Sequence, residues 1–374
     1  MKRFLSVILV LIIALSFASC TERQEPESTG ETGTANVTVE TTTKPTTTED
    51  PDIKRLAAAM GKEEGEFYDG LVAIPDEYYK PLEGGRPTEL FTYTYKKYTK
   101  NCVVYTPPGY DETKQYNVYY LLGGIMANEN AFFNEPGAGS VLQNVFDHMI
   151  ENGEVEPFIA VNVNFFYTDD NHDADIDYGE VAKTVETFSD ELRNAIVPAV
   201  ENEYATYLEG DREVDYIASR KHRCMGGFSL GSSVAFLTLT HNLDYFYYFA
   251  PLCGADFQTY YPDDFDTTLE EDLRKELKKL DYTTDDFFIF ATEGSNDNTF
   301  MDMNPFMERI LADEELFTQA ENNKSQGNIS YKILEGQAAQ HRYIHAYRYY
   351  YNSLVAFWGK ELREDTTTEV TLNY

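Results

Sequence analysis

Residues 227–231 read Gly-Phe-Ser-Leu-Gly. This G-x-S-x-G spacing suits a serine held at a very sharp strand-to-helix turn. There, strained backbone angles lift Oγ above a sheet and leave no room for side chains two positions before or after. A serine hydroxyl is a poor nucleophile at neutral pH. It needs an imidazole to take its proton and a carboxylate to orient that imidazole. In a sheet-and-elbow arrangement the chain order is serine, acid, histidine. Behind Ser229, His241 is too close in sequence, which leaves His341 and His345. His341 is preferred because it follows a strand-like run (329–334) and a loop (335–340), whereas His345 falls one turn into a Tyr-rich helical stretch. For the acid, the run 287–292 ends in Glu293-Gly-Ser-Asn-Asp297-Asn298. Asp297 is chosen by order and position, ahead of Glu293 and the more distant Asp302. An acyl carbonyl under attack also needs N–H donors aimed at its oxygen. The backbone N–H of Leu230 is one candidate. That of Ile125, after Leu121-Leu122-Gly123-Gly124, is the other.

The elements that must carry these groups alternate. Runs 102–105, 117–122, 158–163, 223–226, 245–252, 287–292 and 329–334 read as strands. Residues 216–218 read as the approach to the strand that enters the elbow. Segments 141–150 and 184–204, and one around 305–319, have helical character. Small Ser232, Ser233 and Ala235, then Val234, Phe236, Leu237 and Leu239, predict a helix packed closely behind the serine. Strand and helix in alternation predict an α/β fold with a mostly parallel central sheet covered on both faces.

The rest of the chain bounds the setting. Met1-Lys2-Arg3, an apolar run and Phe17-Ala18-Ser19-Cys20 form an export signal over 1–20, with Cys20 in the place of a lipidated cysteine. Residues 21–51 form a Thr/Glu-rich segment without aromatic residues, Leu or Met, which cannot bury enough apolar surface to order itself. Residues 52–374 read as one domain. The formal charge of −34 excludes nucleic acid as a partner. Cys102, Cys224 and Cys253 show neither metal spacing nor a disulfide framework. Asp169, Asn171, Asp173, Asp175, Asp177 and Glu180 follow a calcium-loop spacing, but Ala174 stands where that loop needs glycine. The segment is read as a solvated acidic loop, so no metal and no cofactor is called for.

The chain resembles the feruloyl and acetylxylan esterases of carbohydrate esterase family one, relatives of esterase D among the α/β hydrolases. The resemblance spans about residues 103–358. It rests on Val104-Tyr105-Thr106-Pro107-Pro108-Gly109-Tyr110, on Tyr120 to Gly124 with Asn128-Glu129-Asn130, on Ile196-Val197-Pro198, on 222–231, on 294–297 and on His341. It implies an α/β-hydrolase fold, with nucleophile, acid and base at Ser229, Asp297 and His341. It also implies a substrate of ester-substituted plant polysaccharide or its oligosaccharides. The chain departs from such relatives at Gly123-Gly124, where they carry His-Gly, and at Ala338-Ala339-Gln340, where they carry glycines. The reading is a secreted serine esterase removing feruloyl or acetyl groups from xylan, attached to membrane only through Cys20. The alternatives are an esterase or acyltransferase on small esters, and a glycan-binding lipoprotein with an inactive hydrolase fold.

Overall fold

The computed structural model describes residues 71–125, 127–165, 187–335 and 339–360. Cys20, the segment 21–51 and the acidic loop 169–180 lie outside these described residues.

Eight strands form one sheet in the order β1-β2-β4-β3-β5-β6-β7-β8. They are β1 (Glu89–Tyr95), β2 (Tyr98–Tyr105), β3 (Asn117–Leu122), β4 (Phe158–Val163), β5 (Arg223–Phe228), β6 (Tyr248–Leu252), β7 (Phe288–Gly294) and β8 (Ile329–Leu334). β1 and β2 are an antiparallel edge, and every pairing from β4 to β8 is parallel. The parallel strands are buried throughout β3, β4, β5, β6 and β7 because helices cover both faces. Alternation sorts their side chains. Val118, Tyr120 and Leu122 face one core, and Tyr119 and Leu121 face the other.

The helices divide accordingly. α1 (Val141–Glu151) and α8 (Tyr343–Trp358) pack on the face of Tyr119. The opposite face carries α2 (187–201), α4 (Leu230–His241), α6 (Leu269–Leu280) and α7 (Phe300–Leu311). Two short helices, α3 (Glu213–Ala218) and α5 (Phe257–Tyr260), lie in connections. Inside α2, Leu192–Ile196 widens into a π turn just before Pro198, whose ring nitrogen has no hydrogen to give the preceding turn. No described helix is long and apolar enough to cross a membrane.

Four local expectations need correction. Residues 216–218 are not strand; they end α3, where Arg212 and Asp215 close the first turn reciprocally. β6 starts at Tyr248 rather than at 245, because Tyr245 N–H is tied back to Asn242 O in a turn. The helix expected around 305–319 runs from Phe300 to Leu311 and carries Pro305 inside it. β1 was not expected, since its exposed Glu89, Thr92 and Thr94 mask a strand that only pairing with β2 holds in place.

Strand order sets where chemistry can sit. The chain leaves β3 to place β4 on one side, then returns to place β5 on the other. The loops after β3 and β5 therefore diverge, opening a crevice at the carboxyl edge, the usual ligand site of such sheets.

Candidate active site

Ser229 stands between β5 and α4 with φ 62° and ψ −120°, a conformation costing a non-glycine residue about 1–3 kcal/mol. The fold over-determines it. Ser229 N–H donates to Leu252 O at 2.9 Å, and Ser229 O accepts from Ser232 N–H at 2.8 Å. A Cβ on Gly227 would lie 2.1 Å from Gly231 O, and one on Gly231 would lie 2.3 Å from Leu122 O. The glycines flanking the serine are thus required by a helix start jammed against the end of β3. That contact also sets Leu230, the first residue of α4, beside the loop carrying Ile125.

The loop after β3 is held by a residue that sequence reasoning missed. Gly124 N–H donates to Tyr343 Oη at 3.1 Å, and a Cβ on Gly123 would lie 3.0 Å from that oxygen and 2.3 Å from Ala127 Cβ. Gly123 is the residue that fits beneath Tyr343. Nothing in the sequence flags Tyr343; it is one of 29 tyrosines.

Asp297 and His341 come together from the loops after β7 and β8. His341 Nδ1 lies 2.8 Å from Asp297 Oδ1 and 3.0 Å from Oδ2, with both side chains almost fully buried. The His341 ring stacks on Phe228, the residue before Ser229, at 4.6 Å between centroids. Backbone bonds lock the two loops, Asn296 N–H to Ala339 O at 3.1 Å and Ser295 N–H to Leu334 O at 2.8 Å. A Cβ on Gly294 would strike Ala339 O at 2.4 Å, so this glycine lets the loops touch.

His345 is elsewhere. It is the third residue of α8, buried, with Nδ1 against the backbone of Gln340. It braces the turn that carries His341. Glu293 is also set apart from the imidazole. Its Oε1 accepts from Gly294 N–H at 2.9 Å and its Oε2 lies 3.1 Å from Thr299 Oγ1. Burial, and then the neighbouring charge of Asp297, push this carboxyl well above the usual carboxylate range. Asp302 belongs to the first turn of α7.

A serine on a strained elbow after a central parallel strand, with an imidazole–carboxylate pair on later strand ends, defines an α/β hydrolase. The chain belongs to the Esterase family, whose model matches residues 97–360, and it is a carboxylic ester hydrolase. It is 34% identical over 285 residues to endo-1,4-beta-xylanase Y of Acetivibrio thermocellus, an alignment covering 76% of this chain. The chain spans about a quarter of the length of that relative, 24%. It is 30% identical to the feruloyl esterase module from Clostridium thermocellum solved with sinapinate, covering 80% of this chain and 98% of that one with a TM-score of 0.66. A ferulic acid esterase from the anaerobic fungus Anaeromyces mucronatus shares the fold, at 19% identity and a TM-score of 0.53 over 78% of this chain and 98% of that one.

Proposed function

We propose that the protein is a secreted serine esterase that removes feruloyl or acetyl groups from xylan-type plant polysaccharide. Ser229 Oγ attacks the acyl carbonyl while His341 Nε2 takes its proton. Asp297 accepts Nδ1–H, which fixes the tautomer and stabilises the imidazolium as it forms. The N–H groups of Leu230 and Ile125 hold the oxygen as it gains charge. As the ester C–O bond breaks, His341 gives its proton to the departing sugar oxygen, which leaves as a hydroxyl; the acyl group left on Ser229 is then removed by water along the same path. No cofactor enters this sequence.

The observation that carries the reading is the 2.8 Å Asp297–His341 contact, with the imidazole stacked on the residue preceding Ser229. The substrate class draws support from the names of the relatives, a xylanase and a feruloyl esterase module bound to sinapinate. Export and surface attachment through a lipidated Cys20, with 21–51 as linker to an esterase domain over 52–374, complete the proposal.

Purified protein should release ferulate from methyl ferulate or acetate from acetylated xylan. Ser229→Ala should lower kcat by at least about 10⁴-fold while the protein stays folded. Turnover in Ser229→Ala equal to wild type would refute the mechanism. Turnover of p-nitrophenyl acetate with neither plant substrate accepted would refute the substrate.

A further inference from the structure

The orienting carboxylate assigned to Asp297 does not stand alone. Cys253 Sγ, a Glu293 carboxyl oxygen and an Asp297 carboxyl oxygen lie within 4.8 Å of one another, all buried. Two ionised carboxylates at that separation, out of contact with water, repel strongly.

Counting protons shows how the site resolves this. Thr299 Oγ1 lies 2.7 Å from Asp297 Oδ1 and 3.1 Å from Glu293 Oε2. A threonine hydroxyl has one hydrogen to donate and can also accept. The shorter contact takes that hydrogen to Asp297. The longer contact is then a hydrogen bond only if Glu293 donates it. Asp297 also accepts from Thr299 N–H at 2.9 Å and from His341, whereas Glu293 accepts from one N–H, that of Gly294, and the weakly donating Cys253 thiol is shared between the two carboxyls. The better-served group keeps the charge. Thr299 stands at the N-cap of α7, where its hydroxyl would ordinarily close the helix; it makes no such bond and is given over to the two carboxyls.

We propose that Glu293 is a neutral carboxylic acid and a positioning residue for the reaction. It donates to Thr299 Oγ1, which donates to Asp297 Oδ1, so the pair's one negative charge stays on the carboxyl facing His341. The inference rests on Asp297 being the acid that orients His341. Its chain is Glu293 O–H to Thr299 O–H to Asp297 to His341. Other titratable groups acting on Glu293 come from four packed elements. They are the Cys253 thiol after β6, the Tyr260 hydroxyl on α5, the Tyr331 hydroxyl on β8 and the Tyr349 hydroxyl on α8. Burial holds each of these protonated, so none supplies a counter-charge.

Glutamine tests this directly. Its carbonyl can accept from Gly294 N–H and its amide can donate to Thr299, so Glu293→Gln copies the neutral acid and not the carboxylate. Glu293→Leu removes the donor at similar size. The leucine variant should lose at least about tenfold in kcat with KM within threefold, and glutamine should recover most of that loss. The acid limb of the kcat/KM profile should be the same in Glu293→Gln as in wild type, since no charge has been removed. Infrared difference spectra, wild type minus Glu293→Gln, should show a protonated carboxyl C=O stretch, with Ser229→Ala as background so that the signal is independent of turnover. Absence of that band, or an acid limb displaced by a full pH unit in Glu293→Gln, would show an ionised Glu293 and overturn the proposal. If both Glu293 variants fail to fold, Thr299→Val decides. Its kcat should fall at unchanged KM, and wild-type kcat in that variant would break the chain. An inactive wild type carrying the infrared band would sink the esterase mechanism and leave the protonation of Glu293 standing.

Discussion

At the amino end of β5, Glu201 meets Arg223 through two contacts, Nε to Oε1 at 2.6 Å and Nη2 to Oε2 at 2.8 Å. Tyr120 Oη adds a third at 2.9 Å, and Arg223 spends its remaining hydrogens on Ser219 Oγ and the carbonyls of Tyr216 and Tyr245. At the carboxyl edge of the same sheet, Glu293 and Asp297 face each other among neutral donors instead. Both carboxyl groups are buried, and opposite physics makes each tolerable. The first is a closed ion pair with every charge matched, which stiffens the strand leading into the elbow. The second is a like-charge pair relieved by a proton, which keeps one negative charge beside an imidazole. Buried charge fully paired serves the fold, while buried charge held by neutral donors is available to chemistry.

Three experiments sharpen that comparison. The largest effect should come from Asp297→Asn. The amide keeps the shape but cannot hold the same tautomer of His341, so kcat should fall by about 10⁴-fold with little change in melting temperature. A loss below tenfold would mean that the carboxylate at this edge does not serve the imidazole. Next comes Glu201→Gln, which leaves the Arg223 guanidinium buried with no opposing charge. Chemical denaturation should register a loss of about 3–5 kcal/mol, with kcat of the folded fraction within about threefold of wild type. A large kcat defect without lost stability would erase the distinction between the two edges.

The smallest effect concerns another buried carboxyl, Asp147 in α1. It accepts from Tyr105 Oη at 2.8 Å and lines a polar cleft of about 520 Å³ with Arg86, Asn134 and Gln143. Burial pushes it up to about 6, the Tyr105 hydroxyl pulling weakly the other way. The folded chain therefore keeps a proton that the unfolded chain has lost between about pH 4 and 6, so stability falls as pH rises through that window. By chemical denaturation Asp147→Asn should be more stable than wild type above pH 6, by on the order of 1 kcal/mol, and the advantage should vanish near pH 4. An advantage that does not vary with pH would show that Asp147 ionises as freely in the fold as out of it.

Much of the architecture was legible along the chain. Continuous apolar runs bounded by turns marked the parallel strands, because a strand covered on both faces must be apolar on both. The glycines at 227 and 231 marked the elbow, because no side chain fits where they stand. The misreadings occurred where neighbours override local preference. β1 exists because β2 pairs with it, and α3 forms at 216–218 from residues that alone suit a strand.

The candidate site divides along the same line. Ser229, Asp297 and His341 could be named from motif, order and strand ends, since those are properties of position in sequence. Sequence could not separate Asp297 from Glu293 by chemistry, as both are carboxyls after one strand. Only the fold turned Asp297 toward His341 and Glu293 toward its own backbone and Thr299. Nor could it reveal Tyr343 beneath Gly124 or Phe228 against His341, contacts that span 219 and 113 residues. Local pattern specifies which chemical groups the chain owns. Their protonation and aim depend on what lies within a few ångströms, and only tertiary packing decides that.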